Sequence, residues 1–334
     1  MKREFAFIDG IRQRARAQSR GELPVLGIGD DAAVLAQARE NESLLTTDLL
    51  IEDIDFKRGY VVPAWLGHKV LAVSLSDIAA MGGQPRFSLL TLGIPAEFGE
   101  DFWDAFFEGY FALAERVGIS LIGGDTSASP ERLVLDSIVI GSCTRGQAVR
   151  RSGALPGDDI WVTGTIGASH VGLKLLLAGE RVIEGEESAP QRAMRRHLCP
   201  EPPIEFGKLI GESGLAHSMI DISDGLAQDL EQICESSGVS AEIDRDLVPI
   251  AEEMQLIAFD SREQLSLAIS GGEDYELLFA AASNDRDRVR RIADQAEVGV
   301  AAIGKIIERS ESKVYLVQEG DRYPLTLSGY EHFS

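Results

Sequence analysis

The chain has 334 residues and a hydrophobic fraction of 44%, which suffices for a substantial core and exceeds the length of one ordinary domain. Its 54 acidic side chains outnumber its 32 basic ones, so the formal net charge is −22. This charge argues against nucleic acid or an anionic membrane surface as a partner. A protein this acidic that binds a phosphate must hold an anion, and a bridging divalent cation is one way to do so.

The cysteine spacing and the first residues bear on the cellular compartment. The three cysteines at 143, 199 and 234 lie far apart, so neither a zinc site nor a disulfide framework is indicated. Arginines interrupt the segment 1–16, and neither a signal-peptide core nor an apolar stretch of membrane-spanning length is predicted. We therefore expect a cytoplasmic protein with reduced thiols.

The predicted elements of the first half alternate between helix and strand. Apolar residues at helical spacing predict helices over 5–17, 64–81 and 100–117. Strands are predicted over 43–50, 87–94, 119–122 and 132–143. Clustered Arg, Gly and Pro over 145–159 predict a domain junction, which divides the chain into residues 1–146 and 147–334.

The second half also alternates. Strands are predicted over 160–163, 219–222, 265–269 and 275–280, and helices over 168–178, 203–213, 284–296 and a segment ending at 236. Residues 182–191 are predicted to be a polar loop, and 300–317 to be mostly extended. Residues 299–306 approach a Walker A motif, but Ile306 stands where a Ser or Thr ligand is required, so we predict a strand there. The alternation predicts α/β or α+β layers in each half.

One sequence pattern recurs along the chain: an apolar strand that leads into a turn of glycine and aspartate. Mg²⁺ prefers carboxylate and other oxygen ligands, and glycine lets the backbone approach a phosphate closely. A helix that opens at Asp224-Gly225 would direct amide donors at such a phosphate. Any one of these segments is explained more simply as an ordinary turn, since Asp and Gly are common turn residues. That explanation is hard to keep for all of them. The five places are residues 29–31, 46–48, 123–125, 221–225 and 272–274.

Asp77 is the most informative single residue. It is the only charged residue within 70–81, a stretch that is apolar on nearly every side. A helix of this kind is predicted to be buried, and a buried carboxylate needs a partner or a metal ion. A structural ion pair or a cap hydrogen bond is the alternative, and we favour the metal because other acids are available to share it.

The motifs that the chain lacks narrow the chemistry. No HRD or DFG kinase set, GxSxG or HExxH is present, and the five histidines lie outside the acidic turns. Phosphoryl transfer without an obvious base is reasonable if the acceptor is itself a phosphate, whose second pKa of about 6 leaves it largely ionised. Such a reaction needs positioning and charge neutralisation, which Mg²⁺ ions held by aspartates supply.

Taken together, these motifs resemble the thiamine-monophosphate kinases, a family within the aminoimidazole ribonucleotide synthetase superfamily. The resemblance runs nearly end to end. It implies a two-domain fold whose N-terminal domains pair their sheets in a homodimer, with an α/β C-terminal domain. It also implies direct transfer of a phosphoryl group from ATP to thiamine monophosphate, without a phosphoenzyme. The segments that carry it are residues 27–34, 46–48, 76–83, 123–126, 151–154, 221–225 and 270–277.

The resemblance also implies residue roles. No residue acts covalently, and Asp77 and Asp224 are expected to matter most. Nucleotide contacts are implied at Gly124, Asp125, Arg151 and Ser223, and at Phe107, where some relatives carry a tyrosine. Acceptor contacts are implied at Asp55, Glu273 and Tyr330. The implied Mg²⁺ ligands are Asp30, Thr46, Thr47, Asp48, Asp77, Asp125, Asp221 and Asp224, which requires acids from both halves to share divalent ions.

Two rival interpretations remain. A selenophosphate synthetase would need a Cys or selenocysteine near the N-terminus, and a hydrogenase-maturation enzyme would need a C-terminal cysteine. The first cysteine here is Cys143, and the chain ends with Ser334. A non-catalytic regulator that binds Mg²⁺ and nucleotide is the rival from another class, and the intact acids argue against it.

Overall fold

A computed structural model describes residues 10, 13, 14 and 40–325. The chain divides into two compact units. Of the described residues, the first unit contains 10, 13, 14, 40–78 and 84–146, and the second contains 79–83 and 147–325. The sequence predicts a single boundary at residues 146 and 147, whereas the short stretch 79–83 also belongs to the second unit.

The first unit is built on a four-stranded sheet with strand order β1-β4-β2-β3. Only β2 and β3 run parallel, and β4 pairs antiparallel with both β1 and β2. Two helices pack on one face of this sheet, which we call the inner face. The elements are β1 (Asn41–Ile51), α1 (Pro63–Ala80), β2 (Gln84–Ile94), α2 (Glu100–Val117), β3 (Ser120–Ala128) and β4 (Val134–Thr144).

Burial alternates along the strands of the first unit, as expected for a sheet with one covered face. In β4, Leu135 and Val139 are buried while Ile138 and Ile140 are only partly covered. The inner face meets both helices, because the Ser74 hydroxyl of α1 donates to the Ser137 carbonyl and the Tyr110 hydroxyl of α2 donates to the Ser88 hydroxyl. The opposite face, here called the outer face, carries exposed leucines of β1.

The second unit has a seven-stranded sheet with strand order β11-β10-β7-β9-β5-β8-β6. Its strands are β5 (Asp159–Thr163), β6 (Ala216–Asp221), β7 (Ser240–Asp244), β8 (Leu277–Ala281), β9 (Val300–Ile307), β10 (Val314–Gln318) and β11 (Asp321–Pro324). Its helices are α3 (Ala168–Leu177), α4 (Ala189–Leu198), α5 (Ile204–Ser213), α6 (Leu226–Ser237), α7 (Ser261–Ser270) and α8 (Arg286–Gln295).

Alternate residues of the central strands supply two cores, one on each face of this sheet. Ile160 and Val162 of β5 pack in the cluster that includes apolar residues of α6 and α7. Trp161, between them, packs with Phe206 of α5 and Val289 of α8. Helices therefore cover both faces, which explains why β5 and β8 are buried at every position.

Most elements predicted within the described residues are confirmed with small shifts at their ends, including the strand over the Walker-like residues, which is β9. The helix predicted over 5–17 lies almost wholly outside the described residues. The strand predicted over 265–269 is wrong, because these residues lie in helix α7. The Asp260 carboxylate accepts hydrogen bonds from the amides of Arg262 and Glu263 and caps this helix, whose buried residues recur at helical spacing. Helix α4 was not predicted: the polar loop predicted over 182–191 is wrong at its end, where the helix begins at Ala189, and no element was predicted over 192–198.

Two of the five predicted glycine–aspartate turns are not turns. Residues 46–48 lie inside β1, and residues 123–125 lie inside β3. Gly124 is needed because β2 approaches closely, and a Cβ there would lie 1.9 Å from the Leu90 carbonyl oxygen. The segment 29–31 lies outside the described residues.

Candidate functional site

The inner face of the first unit gathers one group of side-chain oxygens. Thr46 and Asp48 are two residues apart on β1 and therefore point to the same face. The Thr46 hydroxyl donates a hydrogen bond to the Asp77 carboxylate of α1. The sequence predicted a buried Asp77, but this residue is only half-buried. Its partner is a hydroxyl, and the carboxylate stays partly accessible to solvent.

Thr47 and Asp125 lie on the outer face. The Thr47 hydroxyl donates to Asp136 at 2.5 Å, on the side of β1 opposite to Thr46 and Asp48. The strand register pairs Thr91 with both Asp125 and Asp136, which places those two carboxylates on the outer face as well. The Thr47 hydroxyl therefore cannot share an ion with the inner-face group of the same chain, and the same holds for the Asp125 carboxylate.

Two other residues of the first unit that were predicted to contact a substrate already make contacts within the unit. The Asp55 carboxylate accepts a hydrogen bond from the Ile51 amide at 2.8 Å, which holds the turn that follows β1. Phe107 is buried in an aromatic row of α2, with its ring centroid 5.3 Å from Phe106 and 5.8 Å from Phe111. A nucleotide would reach the Phe107 ring only if part of this packing opened.

In the second unit, the acidic turn 221–225 and the loop 271–276 form one structure. The Glu273 amide donates to the Ser223 carbonyl at 2.8 Å, and the Tyr275 amide donates to the Ile222 carbonyl at 2.9 Å. Gly272 permits this approach, because a Cβ there would lie 2.4 Å from the Ser223 carbonyl oxygen. Two motifs about 50 residues apart in sequence are thus joined by main-chain hydrogen bonds.

Asp229 of α6 belongs to this site, and the sequence analysis missed it. One oxygen of its buried carboxylate accepts from the amides of Asp224 and Gly225 at 3.2 and 3.1 Å. Burial, together with the charges of Asp221 and Asp224, raises the pKa of Asp229 to about 8. The signal was present in the sequence, because residue 229 falls on the apolar stripe formed by Leu226 and Leu230 of this helix.

The remaining predicted residues of the second unit surround the turn. The Gln228 amide donates to the Asp224 carboxylate at 3.1 Å, while Asp221 is buried at the end of β6. Arg151 precedes β5 in the chain and lies beside α6, with its guanidinium 3.4 Å from the side-chain oxygen of Gln232 on that helix. Ser223 offers its carbonyl to the loop and is half-buried. Asp30 and Tyr330 lie outside the described residues.

Buried polar residues from α3 and α4 flank the loop. Asp274 is buried and accepts from the amides of Gly167 and Ser169 at the start of α3. Burial raises the pKa of Asp274 to about 7, although those amides and Arg196 favour its charged form. His197 of α4 contacts the Glu273 carboxylate. Sequence analysis missed both residues, since α4 was not predicted and Asp274 was read only as part of a turn.

The two units correspond to a known class of two-domain proteins. Residues 29–143 match the family described as AIR synthase related protein, N-terminal domain. Residues 156–317 match the family described as AIR synthase related protein, C-terminal domain. The chain is therefore an AIR synthase related protein in both halves, as the resemblance of its motifs implied.

More specific likenesses extend over the whole chain. Thiamine-monophosphate kinase of Bacillus subtilis (strain 168) is 36% identical over 99% of each chain. The crystal structure of thiamine-monophosphate kinase from Stenotrophomonas maltophilia K279a is 36% identical, covers 96% of this chain and 98% of its own, and has a TM-score of 0.83. The structure of AaThiL complexed with AMPPCP and TMP is 29% identical, covers 100% and 98%, and has a TM-score of 0.76. The chain belongs to the thiamine-monophosphate kinase family.

Among the described residues, no helix combines the length and the apolar character that a membrane span requires.

Proposed function

We propose that this chain transfers the terminal phosphoryl group of ATP to thiamine monophosphate, which yields thiamine diphosphate and ADP. Membership of the kinase family supports this reaction, and so does the complex of a relative with an ATP analogue and TMP. The structural observation that carries the proposal is the pairing of the acidic turn 221–225 with the loop 271–276. This pairing joins a turn suited to metal and phosphate to the loop that bears Glu273, an expected acceptor contact.

Mg²⁺ fits the residues present. Every predicted ligand offers oxygen, which is what this hard cation prefers. Burial, followed by the charges of Asp221 and Asp224, raises the pKa of Asp229, and a divalent cation would offset this crowded negative charge. Once bound, Mg²⁺ would neutralise charge on the phosphates of donor and acceptor. The proposed ligands are Asp30, Thr46, Asp48, Asp77, Asp125, Asp221 and Asp224, with Thr47 through its carbonyl.

The chain's own residues position the reactants. Helix α6 begins directly after Gly225, so its first amides are available to a phosphate, while Asp229 holds the amides of Asp224 and Gly225 in place. We assign nucleotide contacts to Phe107, Gly124, Asp125, Arg151 and Ser223, and acceptor contacts to Asp55, Glu273 and Tyr330. The acceptor phosphate is largely ionised near neutral pH, so direct in-line transfer needs no protein base.

A coupled assay tests the reaction. Purified protein with ATP, Mg²⁺ and thiamine monophosphate should form thiamine diphosphate and ADP in equal amounts. Asp224→Asn should lower the rate by about a hundredfold or more, because it removes a charge from the proposed metal site. Asp287→Asn is the matched control, since this aspartate is 87% exposed on α8 and should keep the wild-type rate. If the wild-type protein forms no thiamine diphosphate, the proposal is wrong.

We also propose that the outer face of the first unit binds a second copy of the chain. Leu45 and Leu49 of β1 are 69% and 53% exposed there. The register places Leu45 beside Ile140 and Thr47 beside Ile138 of β4, which extends the apolar surface. An exposed apolar sheet face of this kind is a common site of protein association.

Strand spacing supplies a second argument for the homodimer. Asp48 is aligned with Ser137, Leu90 and Gly124 across the four strands. Three strand spacings of about 4.8 Å separate it from β3, a distance of roughly 14 Å. Ligands of one Mg²⁺ lie about 2.1 Å from the ion, so Asp48 and Asp125 of one protomer cannot share it. We infer that an ion bound by both residues takes them from different protomers.

Light scattering tests the dimer. Wild-type protein should have twice the mass of one chain, while Leu45→Glu/Leu49→Glu should be monomeric and inactive. Leu177→Glu is the matched control, because this leucine is also 53% exposed but lies on the second unit. A wild-type monomer with full activity would refute the shared site.

The use of ATP as donor also supports our proposal that the protein acts in the cytoplasm.

A further inference from the structure

Four residues around the loop 271–276 form a closed ring of contacts. His197 Nδ1 lies 3.0 Å from Oε2 of Glu273 and 3.1 Å from Oγ of Ser169. The Ser169 amide donates to Oδ1 of Asp274 at 3.3 Å, and Asp274 directly follows Glu273 in the chain. The ring therefore connects the Glu273 side chain to its own backbone through α4 and α3.

The ring defines the proton position on the imidazole. An ionised carboxylate accepts hydrogen bonds but cannot donate them, so the Nδ1 atom of His197 must carry the hydrogen that faces Glu273. The Ser169 hydroxyl oxygen is a second acceptor for the same hydrogen. His197 has a side-chain exposure of 2%, against 27% for Glu273. The donor is thus buried and fixed, whereas the carboxylate that it holds reaches solvent.

The backbone of the loop is held in a conformation that side chains disfavour. Glu273 has φ +63° and Tyr275 has φ +52°, in the left-handed region. A non-glycine residue in this region is strained and keeps the conformation only where the surroundings enforce it. The amides of both residues donate to the acidic turn, which enforces the conformation from one side. The contact of Glu273 with His197 fixes the loop from the other side.

We propose that His197 is a positioning residue, which holds Glu273 so that its carboxylate can bind the acceptor. This inference rests on the proposed function, in which Glu273 contacts thiamine monophosphate. That molecule carries a cationic ring and an amine on its pyrimidine, and both favour a fixed carboxylate as partner. A carboxylate held in one orientation loses less entropy on binding than a mobile one, so His197 should act on acceptor affinity.

Steady-state kinetics with His197→Leu and His197→Asn test the role. His197→Leu removes the donor and should raise the KM for thiamine monophosphate by about tenfold, the effect of losing one charge-assisted hydrogen bond. The KM for ATP and kcat should each change less than about twofold. His197→Asn retains an amide donor near the position of Nδ1 and should recover most of the acceptor affinity.

A matched control and a double variant separate positioning from general damage. His217 pairs with Asp158 at 2.8 Å elsewhere in the second unit, so His217→Leu removes a similar pair and should leave the acceptor KM unchanged. His197→Leu/Glu273→Gln should bind the acceptor no worse than Glu273→Gln alone, because His197 acts through that carboxylate. Ser169→Ala should raise the acceptor KM by about twofold and serves if His197→Leu does not fold.

The outcomes distinguish this inference from the proposed function. Absence of thiamine diphosphate with the wild-type protein refutes the kinase reaction itself. Normal wild-type turnover with an unchanged acceptor KM in His197→Leu and Ser169→Ala refutes the positioning role alone. Equal changes in both KM values and kcat, without recovery in His197→Asn, would reduce His197 to a purely structural residue and also refute the inference.

Discussion

The two acidic regions of the molecule are built differently. In the first unit, Thr46, Asp48 and Asp77 project from a regular strand and a regular helix, and a side-chain hydrogen bond joins Thr46 to Asp77. In the second unit, the acids belong to irregular backbone that main-chain hydrogen bonds lock to a neighbouring loop. We infer that substitutions in the first group change the chemistry with little effect on folding, whereas those in the second affect both.

Asp77→Asn gives the largest expected effect and the clearest test of this difference. It removes a charge while keeping an acceptor for the Thr46 hydroxyl, so turnover should fall by about a thousandfold with the fold intact. Circular dichroism, the melting temperature and the coupled assay measure both properties. Near-normal turnover would exclude Asp77 from the metal site, and a large loss of stability would remove the distinction between the two groups.

Gly272→Ala tests the rigidity of the second region. The added Cβ would lie 2.4 Å from the Ser223 carbonyl oxygen, so the loop and the acidic turn must separate. We expect a loss of about 1–3 kcal/mol in the free energy of unfolding, together with a fall in activity. Gly299→Ala is the control, because nothing lies within 4 Å of its Cβ position. Equal stability of the two variants in urea would contradict the tight pairing.

Mg²⁺ should stabilise the folded protein. At a free concentration ten times the Kd, binding to the folded state alone contributes about 1.4 kcal/mol. Thermal melts with and without Mg²⁺ measure this shift, with Ca²⁺-free buffer and EDTA as the reference. Asp224→Asn should reduce the shift more than Asp77→Asn does, since carboxylate charges are more crowded in the second group. The absence of any wild-type shift would count against the metal site.

Asp274 predicts a pH dependence of stability with a defined sign. Burial raises the pKa of Asp274 from 3.8 to about 7, although Arg196 favours the charged carboxylate. The negative charge of Glu276 adds to the increase. The folded protein thus holds this proton more tightly than the unfolded chain. The resulting stability is complete below about pH 4 and is lost as the pH rises to about 7, at no more than roughly 1.4 kcal/mol per pH unit.

Asp274→Asn isolates this contribution. The variant should be less stable than wild type at pH 5, because the amide offers one acceptor where Gly167 and Ser169 each need one. Between pH 5 and 7 its free energy of unfolding, measured in urea without Mg²⁺, should fall less steeply than that of wild type. Parallel slopes for the two proteins would show that Asp274 does not carry the predicted dependence.

The sequence predicted what depends on local pattern. The sequence alone indicated the lone charge of Asp77 in an apolar helix and the turn before α6, because helical spacing and glycine–aspartate pairs are local signals. Alternation along β1 could also have separated Thr47 from Thr46, since strand neighbours point to opposite faces. The acidic residue 229 on an apolar helical stripe was likewise a local signal for a buried carboxylate.

Other features depend on contacts between distant segments. Nothing near Glu273 indicates a left-handed backbone, which is normally a glycine conformation and is held here by Ser223. The contact between Glu273 and His197 joins residues 76 positions apart in the sequence, and no local motif indicates it. The expectation that acids from both halves share ions stays a prediction, as do the individual residue roles.

Strand β1 carries different chemistry on its two sides, with Thr46 and Asp48 on one and Leu45 and Leu49 on the other. Shifting this strand by a single position along β4 would exchange the two sets completely. A one-residue insertion or deletion within 41–51 would therefore disturb the proposed ion site and the proposed subunit surface together.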